Sequence, residues 1–312
     1  MACQFALIGC GGMGRRHLRG FAELNEVRPG LAEVAAVVDI SEEHAEFAAS
    51  EAEELLGTRP VVCSSIEAAH TEVPDLDAVD IVTIASTHHD IAVTALDLGL
   101  HVLTEKPLGV TIRACDLVAE AANRTGLVVS IAENYRRDPV SRFGRALLDS
   151  GAIGRPDTVL EILHGGGDTV MITPWRHLRE EGGPLMDMGV HMADMLLYLL
   201  GPVEEAFGLV RIAEPERATA AGRVGSPGGF YDHFQDEYPE TVEATAPDSV
   251  VATLSFESGA WGQWVMATAA RGPGAGPIVR TILGGEGRMD MPHCRNGQPV
   301  QVWRGDSGDV VS

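Results

Sequence analysis

The sequence predicts an α/β protein of two domains, a doubly wound parallel sheet followed by an α+β domain with a large, open-faced, mostly antiparallel sheet. Three observations carry this expectation. Short apolar runs alternate strictly with amphipathic stretches over residues 1–130, the grammar of parallel strands joined by right-handed helical crossovers. From residue 131 the grammar changes to two helices set among alternating strands. Finally, 312 residues exceed what one hydrophobic core supports, which is roughly 250–300. The expected domains are therefore 1–130 and 131–312.

In chain order, 4–9 reads as a buried strand, 13–25 as a helix, 32–38 as a second strand and 42–56 as a helix capped by Ser41. A short strand at 60–63 precedes an acidic loop around Asp75 and Asp77, and strands at 78–84, 101–104 and 127–132 alternate with helices at 90–98 and 111–125. Beyond them, helices are expected at 140–150 and 185–200, and strands at 157–164, 204–212, 249–256 and 261–268. Residues 213–247 are rich in Gly, Pro and charge and carry Phe230, Tyr231, Phe234 and Tyr238 in a polar setting. They read as a long insertion, either a mobile surface loop or a lid or oligomer contact.

Composition narrows the partners. Apolar residues are 45% and charged residues 22% of the chain, the balance of a soluble globular protein. No apolar run approaches a bilayer span, and the 5–9 stretch is too short for a signal-peptide core. A net charge of −22 repels phosphate backbones and anionic lipid, so neither nucleic acid nor membrane is expected as a partner. The five cysteines, Cys3, Cys10, Cys63, Cys115 and Cys294, are scattered without a CxxC pair. That suggests a reducing, cytoplasmic setting and no thiolate metal site.

One count is more pointed. Of 23 basic residues, Lys106 is the sole lysine. Arginine replaces lysine in ion pairs but does not release a proton at ordinary pH, so a lone lysine is a candidate for chemistry. It stands in Thr104-Glu105-Lys106-Pro107, at the carboxyl end of an expected parallel strand, the edge where ligands of such sheets bind. Pro107 biases Lys106 toward an extended conformation.

Gly9-Cys10-Gly11-Gly12-Met13-Gly14 is a GxGxxG directly after the first strand and opening the first helix. The glycines permit a tight turn and a close approach to a pyrophosphate, and the helix amides favour its charge. Asp39, closing the second strand, is placed to accept hydrogen bonds from ribose hydroxyls and to repel a 2′-phosphate. NAD is favoured over NADP, with Arg15 and Arg16 able to soften the preference. A third cluster lies on the helix opened by Pro184, where Asp187, His191 and Asp194 share one face and interrupt an apolar sequence. Met188, Met192, Met195 and Leu199 form a separate stripe that reads as core. Zinc binding here would need further ligands from His164 or His177, and no metal is expected.

With these residues in place the chain resembles the Gfo/Idh/MocA family, the glucose-fructose oxidoreductase and inositol dehydrogenase group. The resemblance covers nearly the whole chain. It rests on the GxGxxG, His88 after the fourth strand, Gly99-Leu100-His101-Val102-Leu103-Thr104-Glu105-Lys106-Pro107, and the Gly-Gly-x-x-x-Asp-x-Gly-x-His helix starting at Gly182. It departs where Ile84-Ala85-Ser86-Thr87 lacks a proline and where Pro184 replaces a third glycine. The resemblance implies a Rossmann domain and an open-faced sheet domain that mediates a homodimer or homotetramer. It puts Lys106, Asp187 and His191 in the catalytic positions and Gly9, Gly11, Gly12, Met13, Gly14, Asp39, Thr87, His88, Glu105 and Lys106 at the cofactor. Asn134, Arg136, Trp175 and Arg176 follow as substrate or nicotinamide contacts, or as structural residues.

The expected chemistry is hydride transfer between nicotinamide and a secondary alcohol or ketone of a sugar, sugar derivative or cyclitol. His191 is suited to accept the carbinol proton at neutral pH, Lys106 to stabilise the developing alkoxide, and Asp187 to bind a hydroxyl and orient His191. Whether Lys106 takes the proton instead is left open by the sequence. Two other activities stay open with it: a redox glycoside hydrolase with retained NAD, and a non-catalytic dinucleotide or sugar sensor.

Overall fold

The structure, a computed structural model, describes residues 2–219, 229–269, 279–293, 298–305 and 310–311. They form two units, one of residues 2–132 with 229–239, the other of 133–219 and the described residues from 240 onward.

In the first unit, strands β1 (Cys3–Ile8), β2 (Ala32–Val38), β3 (Val61–Cys63), β4 (Ala78–Ile81), β5 (His101–Thr104) and β6 (Val129–Ile131) make one sheet in the order β3-β2-β1-β4-β5-β6. Every pair in it is parallel. Helices α1 (Gly12–Val27), α2 (Glu42–Leu56), α3 (Ile66–Glu72), α4 (His88–Asp97) and α5 (Ile112–Thr125) connect the strands. Their limits follow local chemistry. Ser41 accepts the His44 N–H at 3.3 Å and Thr111 the Ala114 N–H at 3.1 Å, while Gly57 and Gly126 end α2 and α5 with φ of 79° and 71°. The α2 face toward the sheet is Ala45, Ala48, Ala49 and Ala52, all buried, and such small side chains let helix and sheet pack closely. The strand order reverses between β1 and β4, which opens a crevice at the carboxyl edge of the sheet.

In the second unit α6 (Pro139–Asp149), β7 (Pro156–His164), α7 (Gly183–Leu200) and β8 (Val203–Arg211) come first. A two-stranded ribbon, β9 (Glu216–Ala218) with β10 (Thr241–Glu243), precedes β11 (Ser249–Phe256) and β12 (Trp261–Ala267). Strands β13 (Val279–Gly284), β14 (Gly287–Met291), β15 (Gln301–Arg304) and β16 (Val310–Val311) complete the eight-stranded sheet β16-β15-β14-β13-β7-β12-β11-β8. It is antiparallel except where β7 meets β12.

Helix α7 packs on one face of this sheet. A Cβ on Gly189 would stand 3.1 Å from the Trp264 ring, so glycine there sets how near the helix lies. Met192, Met195 and Leu199 are buried in the same core, as their spacing predicts, together with Val159, Ile282 and Met289 from the sheet. Set among them is a fully buried ion pair. Arg280 of β13 donates to both carboxylate oxygens of Glu161 on β7 at 2.6 and 3.0 Å, and lies 3.5 Å from the Met192 sulfur. On the opposite face Phe207, Leu209, Val251 and Trp261 are 73, 70, 54 and 67% exposed. The sheet is open-faced, as expected.

One expectation is corrected. The boundary at residue 130 gave everything beyond it to the second domain, yet residues 229–239 return to the first unit. There Tyr231 is buried with its ring where a Cβ on Gly12 would lie. Phe230 accepts a hydrogen bond from Arg15 at 2.9 Å, His233 stacks on Phe47 with centroids 4.0 Å apart, and Glu237 pairs with His44 at 2.9 Å. Of the proposed insertion, residues 220–228 and the Phe234 side chain lie outside the described residues. Helix α3, the β9–β10 ribbon within 213–247, and strands β13–β16 were also not anticipated.

Candidate active site

Within the first unit, the chain leaves β1 through Gly9 at φ 99°, where a Cβ would stand 2.8 Å from the Val82 backbone. A Cβ on Gly14 would drive into the Gly9 carbonyl oxygen. Gly11 is different, since a Cβ there meets nothing within 4 Å. No side chain caps the start of α1, so its first amides and the open face of Gly11 form a cradle suited to a pyrophosphate. Asp39 accepts the Cys10 N–H at 2.7 Å and the Ser41 N–H at 2.9 Å, one on each oxygen, which fixes its carboxylate beside that cradle. Arg15 is committed elsewhere, donating to Glu51 at 2.7 and 3.2 Å as well as to Phe230. These residues fit a dinucleotide. Accordingly, Gly11→Ala should leave the melting temperature unchanged and weaken NADH binding by about tenfold or more, measured by fluorescence titration.

The remaining first-unit residues divide. Lys106 is half-buried and joined to Pro107 by a cis peptide bond. Glu105 is buried, and its carboxylate accepts the Lys106 N–H at 2.9 Å. Thr87 donates to the Ile84 carbonyl at 2.9 Å and lies 2.8 Å from the Thr83 hydroxyl. The His88 ring is buried, with one nitrogen 2.7 Å from the Pro107 carbonyl and the other 3.1 Å from that of Thr83. It ties the loop after β4 to the turn after Lys106.

A residue the sequence reading passed over stands behind the glycine turn. His17 on α1 places Nδ1 2.7 Å from Asp80 and Nε2 3.3 Å from Glu105. Burial would lower its pKa, but the Asp80 and Glu105 carboxylates outweigh burial and push it up to about 10. The same burial pushes the Glu105 carboxyl upward, and hydrogen bonding and charge from His17, with the charge of Lys106, reverse this and hold it below its usual range. A raised histidine pKa stabilises the fold fully below the ordinary value of 6.5, and the contribution is lost as pH climbs through about 10. The melting temperature should therefore fall between those limits, and His17→Gln should flatten that fall in a pH series of thermal melts.

Within the second unit, α7 begins at Gly182 and Gly183 with φ of 83° and 68°, and Gly183 packs where a Cβ would strike Ala246. Pro184 occupies its first turn. His191, on the same helix, is buried, and its Nδ1 is 2.7 Å from the Glu133 carboxylate. The other Glu133 oxygen accepts the Tyr135 N–H at 2.8 Å, and the Tyr135 ring stacks on the imidazole with centroids 4.2 Å apart. Nε2 is without a hydrogen-bond partner among the described residues. Asp187 was expected to orient His191; the carboxylate on the ring is that of Glu133, which the sequence reading missed. Asp187 instead accepts from Arg176 at 3.2 Å, both side chains being buried.

Arg176 also donates to Thr173 at 2.6 Å and lies over the Trp175 ring. Arg136 forms a two-pronged ion pair with Asp194 at 2.7 and 2.6 Å, and Asn134 is exposed. His177 is buried and accepts the Met171 N–H at 2.8 Å; burial, followed by the charge of Arg217, lowers its pKa to about 4. Among the described residues no group of three or more His, Cys, Asp or Glu is arranged to hold a metal ion.

A glycine cradle between β1 and α1, at the carboxyl edge of a parallel sheet whose strand order reverses beside it, defines the first unit as a dinucleotide-binding fold of the Rossmann class. The chain belongs to the Gfo/Idh/MocA family: residues 3–133 match the model of the oxidoreductase family, NAD-binding Rossmann fold, and residues 142–290 that of the GFO/IDH/MocA C-terminal domain. Over 242 residues it is 28% identical to a levoglucosan dehydrogenase of Pseudarthrobacter phenanthrenivorans, covering 76% of this chain and 60% of that protein. It is 26% identical to a scyllo-inositol 2-dehydrogenase (NAD(+)) of Bacillus subtilis, covering 77% of this chain and 62% of that one. The chain thus spans about three-fifths of the length of these relatives. A solved levoglucosan dehydrogenase in complex with NADH and L-sorbose superposes with a TM-score of 0.78 at 26% identity, over 98% of this chain and 77% of that one. The first unit is the family's NAD-binding Rossmann domain.

Proposed function

We propose that the protein is an NAD-dependent dehydrogenase that oxidises a secondary alcohol of a sugar, sugar derivative or cyclitol, or runs the reverse reduction. The observation that carries this reading is His191, whose Nδ1 is held by Glu133 while Nε2 is left for a proton. A sensor needs no such base, whereas loss of a carbinol proton does. The relatives act in their own names on levoglucosan and scyllo-inositol, which supports the polyol class.

Bound NAD supplies a hydride acceptor at nicotinamide C4. The chain's residues do the rest. Gly11 and the first α1 amides, including that of Met13, would hold the pyrophosphate and Asp39 the adenosine ribose, while Gly9 and Gly14 permit the tight turn and Gly12 packs on the Tyr231 ring. In the oxidation, the carbinol C–H leaves as hydride, the O–H proton passes to His191 Nε2, and the carbon–oxygen bond becomes a carbonyl. Glu133 keeps the Nδ1 proton in place and stabilises the imidazolium. Lys106 offsets the charge developing on the carbinol oxygen. Asp187, held by Arg176, accepts a neighbouring substrate hydroxyl. The engagement of Arg15 with Glu51 and Phe230 favours NAD over NADP.

The apolar outer face at Phe207, Leu209, Val251 and Trp261 supports a homodimer or homotetramer through the second-unit sheet. Cys3, Cys10, Cys63 and Cys115 are free, which supports a cytoplasmic setting, with Cys294 outside the described residues. No helix among the described residues is long and apolar enough to cross a membrane.

The test is NADH absorbance on mixing the protein with NAD, and separately NADP, and inositols, levoglucosan, aldoses and glycosides. Substrate-dependent NADH formation that disappears in Lys106→Ala supports the reading. Glycoside cleavage without net NADH would replace it with a redox hydrolase, and tight NADH binding with silence across the panel would favour a sensor.

A further inference from the structure

The first unit buries a charged chain that hydride transfer itself does not require. Asp80, at the core of β4, is fully buried, and Glu105 is 9% exposed at the end of β5. Between them His17 presents Nδ1 to Asp80 at 2.7 Å and Nε2 to Glu105 at 3.3 Å. A neutral imidazole donates through one nitrogen only, so two carboxylates facing its two nitrogens call for the protonated ring. The far oxygen of Glu105 accepts the backbone N–H of Lys106 at 2.9 Å. Asp80, His17, Glu105 and Lys106 thus alternate in sign, and their charges cancel.

An isolated buried carboxylate is costly, and one that bridges a fixed cation and the Lys106 backbone amide has little freedom to rotate. Resting on the role given to Lys106 above, we propose that His17 is a positioning residue: acting through Glu105, it holds the Lys106 backbone in the orientation that aims its side chain at the substrate oxygen. The sequence offers a direct probe. Lys106 is the only lysine, so reductive methylation with 13C-formaldehyde labels it and the N-terminal amine alone, and the dimethyl group keeps the charge. Lys106→Arg identifies which resonance is which.

Two substitutions separate the contacts. Glutamine places an amide donor near the position of Nε2 and keeps the link to Glu105; asparagine places one near Nδ1, keeps Asp80 and releases Glu105. In His17→Asn the labelled Lys106 resonance should shift, and kcat on the panel's best substrate should fall about tenfold or more, with KM and NADH affinity within about threefold of the parent. In His17→Gln the resonance and kcat should stay near the parent. If His17→Asn does not fold, His17→Asn with Asp80→Asn removes the excess buried charge and should show the same Lys106 shift. Equal kcat in the Asn and Gln variants, or a Lys106 resonance that coincides with the parent's in a folded variant lacking the Glu105 contact, would overturn the proposal. If instead Lys106→Ala leaves turnover intact, the assignment of Lys106 fails while the resonance still reports whether His17 governs its environment.

Discussion

His191→Ala should lower kcat by about two to four orders of magnitude while NADH binding is retained, because it removes the proton acceptor and leaves the glycine cradle intact. Glu133→Gln should do nearly as much. The carboxylate accepts the Nδ1 proton at 2.7 Å and thereby keeps Nε2 as the accepting nitrogen. A glutamine amide can present its NH2 to Nδ1, which moves the proton to Nε2 and leaves a histidine that cannot act as base. Its expected loss is about 10²–10⁴-fold in kcat. Tyr135 still stacks on the ring in this variant, so the packing of α7 should be unchanged and thermal melts should match the parent. Steady-state kinetics on the two variants would decide the matter, and a Glu133→Gln enzyme of parental kcat would remove the tautomer role assigned to Glu133.

Arg280→Met should cost about 3–5 kcal/mol of stability, the largest effect expected of any single change outside the active site. It removes the only arginine on Glu161, whose side chain is fully buried on the inner face of the second sheet, and leaves it His293 alone, 3.4 Å away, among the described residues. The carboxyl must then stay charged in an apolar core or take up a proton, so the deficit should be smaller at pH 5 than at pH 8. The double variant Arg280→Met with Glu161→Leu removes both charges and should recover most of the loss, as volume is roughly conserved and neither partner is left unpaired. Urea unfolding of the parent, the single and the double variants measures all three terms. A single variant within about 1 kcal/mol of the parent would mean that water or a protonated His293 replaces the arginine at Glu161.

The same buried pair explains what could be read in the sequence and what could not. Strand β7 was legible although Glu161 points inward, since Val159, Leu160, Ile162 and Leu163 surround it. In β13 the inward positions are Arg280 and Ile282, and a charged residue at one of them destroys the alternation by which a half-buried strand is recognised. Helix α3 has seven residues, of which Ile66 and Ala69 are buried, too short a pattern for a helical period, though Ser65 caps it. The Rossmann half was legible because each of its signals is local: the limits of β2, α2 and β5 are those the sequence predicts, and the glycine turn follows a strand and opens a helix. Helix α7 was legible from Pro184 and its apolar stripe for the same reason. The partners of His191 and Glu105 were not, because Glu133 lies 58 residues from His191 and His17 lies 88 from Glu105, and pairings across such distances leave no spacing to read. The contacts of His88 with the Pro107 and Thr83 carbonyls were likewise not legible, since the first joins residues 19 apart.

The strap of residues 229–239 gives the nucleotide-binding unit a history as well as a shape. Its sheet is complete once residue 132 has been made, but the Arg15 to Phe230 bond closes over a separation of 215 residues, and Tyr231 reaches Gly12 only then. On a ribosome adding roughly 5–20 residues per second, those further residues (231 − 132, about 100) represent roughly 5–20 s. For that interval a nascent chain displays a finished parallel sheet with an uncovered glycine turn. The order of synthesis therefore defers completion of the first unit until residues 229–239 are made, which is before strands β10–β16 of the second unit exist.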